Sequence, residues 1–180
     1  LLVIYSTFSY CQRDLSQLPE DDERKLASVR QLFNKTGPLF LTTAVNGIVN
    51  GNSRVCWSSQ EAGNSFPGFR HRLTYYDVGA TQPTEILIHW YVGTVGGVPK
   101  VFLKADAGRH PINITADYFL VEAQPTCVVL MLPMTPNSNS SCLLWEAQRN
   151  LTGGNRTLCR NAFSKNCTGF LVTVGRERER

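Results

Sequence analysis

Eight short segments rich in β-branched and aromatic residues follow one another along the chain without a helical pattern between them. Clusters such as Asn-Gly and Gly-Gly-Val-Pro separate them, and such clusters are typical of turns between strands. The segments are PLFLTTAV, SRVCWSS, FRHRLTYYDV, TEILIHWYV, KVFLKAD, ITADYFLVEA, TCVVLML and CLLWEAQ. Because parallel strands need long crossovers, this succession predicts an antiparallel meander or sandwich. An eight-stranded meander can close into a barrel whose interior holds one small ligand.

The residues within the segments favour a barrel with a lined interior. In FRHRLTYYDV, residues 69–78, one face carries Phe69, His71, Leu73 and Tyr75, and the other carries arginines with Thr and Tyr. In EILIHWYV, residues 85–92, neither face is cleanly apolar. Amphipathic aromatics on both faces suit a lined cavity, although a solid core with a decorated surface would give a similar pattern. The sequence does not decide which face is inward.

Helical patterns lie on both sides of these segments. LPEDDERKLASVRQLFNK, residues 18–35, begins with Pro and four acids, which suit the first turn of a helix. Leu26, Val29 and Phe33 recur at helical spacing, and Gly37-Pro38 is a stop signal. Residues 155–165, NRTLCRNAFSK, allow a short second helix. The predicted fold class is therefore all-β with flanking helices: an eight-stranded antiparallel barrel, an N-terminal helix and a short C-terminal helix.

Six cysteines and six Asn-x-Ser/Thr triplets occur in 180 residues. Cysteines at this density indicate disulfides in an oxidising compartment, or metal and redox chemistry in the cytosol. The triplets favour the first reading, because they are acceptors of N-linked glycans in secreted proteins. The candidate glycosylation sites are Asn34, Asn113, Asn139, Asn150, Asn155 and Asn166. The sequence predicts a secreted, extracellular glycoprotein.

The first residues differ from the rest of the chain. LLVIYSTFSYC is apolar with small hydroxyl residues and no charge, and a charged stretch follows it, as at the end of a signal peptide. A buried first strand is the alternative. We expect residues 1–11 to be a signal-peptide remnant, residues 12–175 a single barrel domain and residues 176–180 a charged tail. No other apolar run approaches the ~20 residues of a membrane-spanning helix, so no membrane partner is predicted.

Several function classes find no support in the sequence. The net charge of +4 comes from scattered residues, whereas nucleic-acid binding needs clustered Arg and Lys with stacking aromatics. The three histidines are dispersed, and His-Glu-x-x-His, Gly-x-Ser-x-Gly and glycine-rich phosphate loops are missing from the sequence. The cysteine spacings include no Cys-x2-Cys pair for zinc. We predict a protein that is not an enzyme, with no catalytic residues, no metal, no cofactor and no nucleic-acid partner.

The later cysteines carry a family likeness. Cys127-Val-Val-Leu, then Leu144-Trp145, then Cys159, placed after a helix and eight strands, resembles the lipocalins of tick saliva, the group that includes the histamine-binding proteins. The resemblance implies a lipocalin-like barrel with a disulfide between Cys127 and Cys159 and, as in some members, a second between Cys142 and Cys167. It leaves Cys56 without its usual C-terminal partner, so Cys56 is either free or paired with Cys11.

The same resemblance bears on the ligand. The family's amine-binding pattern has an acid directly after the first cysteine and a Glu before Leu-Trp, whereas this chain has Val128 and Leu143 there. A buried ammonium needs a paired charge. A hydrophobic or lipid mediator, such as an eicosanoid or fatty acid, is therefore favoured over histamine or serotonin. Amine binding through other carboxylates stays open, with Asp77, Asp117 and Glu122 as candidates.

The expected function is sequestration of a small host mediator inside the barrel of a monomer. A lipid acid would suit aromatic walls and one or two cationic groups for its carboxylate. The wall candidates are Trp57, Tyr75, Trp90, Phe102, Tyr118 and Trp145, and the head-group candidates are Arg54 and Arg72, followed by Arg70 and Lys104. Ordinary core packing and a solvated surface are the competing interpretations for these residues. Binding of a host protein, such as a complement component or a receptor, through the outer surface is a further alternative.

Overall fold

The strands form one antiparallel sheet in a computed structural model that describes residues 18–45, 54–106, 115–132, 141–147, 154–167 and 171–173. These residues form two helices, α1 (Glu20–Phe33) and α2 (Gly154–Asn166). The strands are β1 (Leu39–Val45), β2 (Arg54–Ser65), β3 (Gly68–Asp77), β4 (Thr84–Val95), β5 (Val98–Ala105), β6 (Ala116–Gln124), β7 (Cys127–Met131), β8 (Cys142–Glu146) and β9 (Leu171–Thr173).

Neighbouring strands pair in the order β2-β3-β4-β5-β6-β7-β8-β1-β9, and β1 also pairs with β2. That last pairing closes the sheet, with Leu39 opposite Ser59 and Phe40 opposite Ser58. The predicted eight-stranded antiparallel barrel with a helix on either side is confirmed. The sequence missed β9, a three-residue strand that pairs with Thr43–Val45, the part of β1 that lies beyond its pairing with β2.

Helix α1 covers one end of the barrel. Its buried face consists of Leu26, Val29, Leu32 and Phe33, which extends the predicted apolar face by one residue. Arg24 ties the helix to the end of β6, because its guanidinium donates to the carbonyl of Ala123 at 3.1 Å and pairs with Glu122. We call the end covered by α1 the floor, and the opposite end, where β3 ends and β4 begins, the mouth. Residues 46–53, 107–114 and 133–140 lie outside the described residues.

Helix α2 packs on the outside of the barrel against β6, β7 and β8. Phe163 is buried there against Val129 and Leu144, which point away from the interior. Two disulfides join the helix to the barrel, Cys127–Cys159 from β7 and Cys142–Cys167 from β8. These are the two pairs that the resemblance implies. Neither helix among the described residues is long and apolar enough to cross a membrane.

Candidate ligand-binding site

The inner wall of the barrel is built from alternate residues of the strands. Because side chains alternate along a strand, the register of β3 with β4 turns Leu73 and Ile86 to one side and Arg72 and Leu87 to the other. The buried side identifies the interior. The buried inward residues of the strands are Leu39, Leu41, Ala44, Trp57, Leu73, Tyr75, Ile86, Ile88, Trp90, Val101, Leu103, Tyr118, Leu120, Ala123, Val128, Leu130, Leu143 and Trp145.

An aromatic stack lies in the half of the interior nearer the mouth. The rings of Trp57 and Tyr75 lie face to face with centroids 4.4 Å apart, and both side chains are buried. Tyr118 is also buried, and burial raises the pKa of its phenol, so the hydroxyl stays neutral at physiological pH. This half of the wall therefore offers flat apolar surface with neutral polar groups.

A second aromatic cluster forms the floor. Trp90 stacks on Phe33 of α1 with ring centroids 5.0 Å apart, and Trp145 meets the edge of Trp90 at 6.1 Å. Phe33 also contacts Phe69 and His71 in edge arrangements. The helix is thus part of the interior, because its last residue packs directly on side chains of the barrel wall.

A short hydrogen-bonded chain crosses this floor. His71 Nε2 lies 2.8 Å from the carbonyl oxygen of Phe33, which only accepts, so this nitrogen carries the proton. His71 Nδ1 then accepts from the Ser59 hydroxyl at 2.9 Å, and Ser59 Oγ accepts from Trp90 Nε1 at 3.1 Å. These three hydrogen bonds satisfy the buried polar atoms that they join, and they fasten α1 to β2, β3 and β4.

Burial lowers the pKa of His71 below its usual 6.5, although the bond to the Phe33 carbonyl and the charge of Glu61 oppose this shift. As the pH falls below 6.5, an unfolded chain binds a proton that folded His71 resists. The contribution of neutral His71 to the free energy of unfolding is therefore complete above pH 6.5. It is lost as the pH falls through the lower pKa that His71 has in the folded state.

We expect the free energy of unfolding to fall between about pH 7.5 and about pH 5.5, and to fall less in a His71→Gln variant. Urea titrations of both proteins at the two pH values measure this difference. The two proteins differ only at residue 71, so the comparison isolates His71. Equal pH dependence of the two proteins would contradict the assignment of His71 as a neutral buried group.

Charged side chains lie mainly outside the barrel. Among the described residues the buried charged groups are Lys100 and Glu146. Both point outward: Lys100 pairs with Asp117 at 3.1 Å, and Glu146 pairs with Arg160 of α2 at 3.3 Å. Glu61 shares the inward face with His71 but is only partly buried at the floor edge, where it lines an outer cleft with Arg30.

Three of the four predicted cationic head-group residues lie on the outer surface of the barrel. Arg72 is exposed and lies 3.5 Å from Glu85 on the outer surface, because the inward Leu73 follows it directly. Arg70 is also outward, 3.6 Å from Asp106, and Lys104 is exposed beside the inward Leu103. Arg54 begins β2, and its side chain lies outside the described residues. The expectation that Arg72 faces the interior is therefore corrected.

Five of the six predicted wall residues face the interior, and one faces outward. Trp57, Tyr75, Trp90, Tyr118 and Trp145 all point inward and are buried. Phe102 is corrected: it lies between the inward Val101 and Leu103, opposite the exposed Asp117, and so faces outward.

The carboxylates considered for an amine do not lie in the core. Asp117 is exposed on the outer surface and pairs with Lys100. Glu122 accepts hydrogen bonds from Arg24 and Gln124 outside the barrel. Asp77 is exposed at the end of β3 on the same face as Tyr75, which places it on the rim of the mouth.

Other sequence-predicted positions are described only in part. Asn34 and Asn166 are exposed, the side chain of Asn155 is outside the described residues, and Asn113, Asn139 and Asn150 lie wholly outside them. Cys56 is half-buried, has a φ of 58° within an irregular part of β2, and is free among the described residues. Cys11 lies outside those residues, so its pairing with Cys56 stays a prediction.

Sequence reasoning missed Ser59 and His71 as site residues. A period of two from Trp57 places Ser59 on the same face, and the same period groups His71 with Leu73 and Tyr75. That pattern was visible, but a buried histidine bonded to a helix carbonyl depends on where α1 ends. The hydrogen bonds of Ser59 and His71 at the floor could therefore be recognised only from the tertiary structure.

This closed antiparallel barrel with its two flanking helices is a lipocalin fold. A search of solved structures matches Japanin from Rhipicephalus appendiculatus bound to cholesterol, with a TM-score of 0.57. The match covers 82% of this chain and 97% of Japanin at 16% sequence identity, so it establishes likeness of fold. No protein-family model and no curated protein matches the sequence. The fold part of the resemblance to tick lipocalins is confirmed, and membership of the histamine-binding group stays a prediction.

Proposed function

We propose that this protein is a secreted lipocalin that binds and sequesters a small hydrophobic mediator inside its barrel. One observation carries the proposal: the buried inward wall consists of aliphatic and aromatic side chains with a few neutral polar groups, and the described buried charges point outward. Burying apolar surface drives binding in such a site, whereas an ion without a counter-charge would lose its hydration.

The structural neighbour supports a lipid ligand. Japanin is bound to cholesterol in its solved structure. The Trp57–Tyr75 stack gives this chain an apolar aromatic wall of the kind that a lipid body contacts. Because Arg72 and Lys104 point outward, the carboxylate of a fatty acid or eicosanoid would have to remain at the mouth. This makes an uncharged lipid the better candidate within the lipid class.

Secretion and a monomeric state are part of the proposal. Two disulfides join α2 to the barrel, and such bonds persist in oxidising compartments. Among the described residues no group of three or more His, Cys, Asp or Glu side chains is arranged to hold a metal ion. The proposal includes no catalytic activity, and it includes glycosylation at the exposed Asn34 and Asn166.

Host-protein binding is a second candidate, and one observation favours it. Phe66 at the β2–β3 turn is 99% exposed, and Val95 and Val98 at the neighbouring β4–β5 turn are also exposed. These residues lie near the floor, away from the mouth. Exposed aromatic residues are enriched at protein interfaces, so a surface function there would be compatible with ligand binding through the mouth.

The proposal is tested by ligand binding to the secreted, delipidated protein. Native mass spectrometry and thermal shift would compare cholesterol, arachidonic acid and histamine at matched concentrations. We expect a one-to-one complex with cholesterol, weaker binding of the acid and no shift with histamine. Binding of histamine alone would favour the amine alternative through Asp77, and binding of none of the three would contradict sequestration.

A further inference from the structure

Trp145 carries a buried donor that the described structure leaves unused. Its side chain is 1% exposed, and its Nε1 has no hydrogen-bond partner among the described residues. Its neighbour Trp90 provides a contrast, because Trp90 Nε1 donates to Ser59. An indole N–H only donates, and buried donors in folded proteins nearly always have an acceptor.

The surroundings of Trp145 supply apolar groups. Its cross-strand partners are Leu41 on β1 and Val128 on β7, and its ring meets the edge of Trp90. The nearby polar side chains of the floor, Ser59 and His71, are already joined to each other. The acceptor must therefore come from outside this set of side chains.

We propose that Trp145 Nε1 donates a hydrogen bond to an oxygen atom of the bound lipid. The ligand class is an uncharged amphiphile with a hydroxyl or carbonyl group, and the inference rests on the proposed function. Trp145 occupies the last inward position of β8 before the floor, whereas Trp57 and Tyr75 lie nearer the mouth. The lipid therefore enters with its oxygenated end first and leaves its apolar body against the Trp57–Tyr75 stack.

The charge distribution excludes an acid in the same orientation. A carboxylate beside Trp145 would be buried without a cation, since the described buried cation, Lys100, points outward to Asp117. A hydroxyl or carbonyl oxygen needs only the one donor. A buried water could also accept from Trp145, and the experiment below distinguishes it from a ligand oxygen.

The first test observes the indole N–H directly in the unsubstituted protein. The chain has three tryptophans, so ¹⁵N-labelled protein gives three indole resonances, and a Trp145→Phe variant assigns one of them. We expect dodecan-1-ol to move the Trp145 indole proton downfield and dodecane to leave it in place. Identical shifts with both probes, or no shift when the alcohol is bound, would overturn the inference and favour a buried water.

The second test compares affinities for the same two probes by native mass spectrometry. Trp145→Phe should lower the affinity for dodecan-1-ol by about five- to tenfold and leave that for dodecane within about twofold. Trp57→Phe is the matched control and should affect both probes equally, because its contact is apolar. If Trp145→Phe lowered the affinities for both probes equally, Trp145 would contribute only apolar packing, and the inference would be wrong. Failure of the unsubstituted protein to bind either probe would contradict the proposed function itself.

Discussion

Replacing Trp90 with alanine should lower the free energy of unfolding by about 3–5 kcal/mol, the range for removing a large buried aromatic side chain. The indole stacks on Phe33, meets Trp145 and donates to Ser59, so the variant loses packing and a buried hydrogen bond together. Urea unfolding monitored by far-UV circular dichroism measures the loss.

Trp90→Phe is the matched control for this prediction. It retains an aromatic ring against Phe33 and loses the donor to Ser59, so its cost should be well below that of the alanine variant. Equal stabilities of the alanine variant and the unsubstituted protein would show that the floor cluster does not hold α1 on the barrel.

Removing the Cys127–Cys159 disulfide by a double alanine substitution should cost roughly 3–4 kcal/mol on the chain-entropy estimate for a loop of this size. The two cysteines are 32 residues apart, and the bridge fastens α2 to β7. The Cys142–Cys167 bridge remains, so we expect a folded but less stable protein. Chemical denaturation under non-reducing conditions gives the free energy of unfolding.

Cys56→Ala is the control for that experiment, because Cys56 is half-buried and free among the described residues. It should change stability far less than loss of the bridge. If removing Cys127 and Cys159 were equally harmless, the Cys142–Cys167 bridge and the packing of Phe163 would be sufficient to hold α2 in place.

The strands and helices could be predicted because local patterns specify them. The acids of the first turn, the spacing of Leu26, Val29 and Phe33, and the stop signal at Gly37-Pro38 predicted a helix over residues 18–35, within two residues of α1 at each end. The alternating segments and their turns located eight strands. Strand β9 was missed because three residues, Leu171–Thr173, are too few for a periodic pattern and depend on the free edge of β1.

The direction of the side chains could not be predicted with the same success. On β4 the inward Ile86, Ile88 and Trp90 alternate with half-buried Leu87, His89 and Tyr91, so hydrophobicity alone does not identify the inner face. The burial of Ile86, Ile88 and Trp90 identifies it, and the registers of β4 with β3 and β5 then place Arg72 and Phe102 outside. The sequence also could not show that Trp145 Nε1 has no acceptor among the described residues, because its neighbours are set by the pairing of β8 with β1 and β7.

The central claim, that the ligand binds inside the barrel, is tested most directly by placing the same indole on either side of its wall. Ala116 is a partly buried inward residue of β6 opposite Leu103, and Lys104 is exposed on the outer surface of the adjacent strand. Binding of cholesterol would be measured by native mass spectrometry for Ala116→Trp and Lys104→Trp, after thermal unfolding has shown that both are folded. We predict that Ala116→Trp lowers the affinity by about tenfold or more and that Lys104→Trp leaves it unchanged. Unchanged binding by Ala116→Trp, or an equal loss in Lys104→Trp, would contradict a site in the barrel interior.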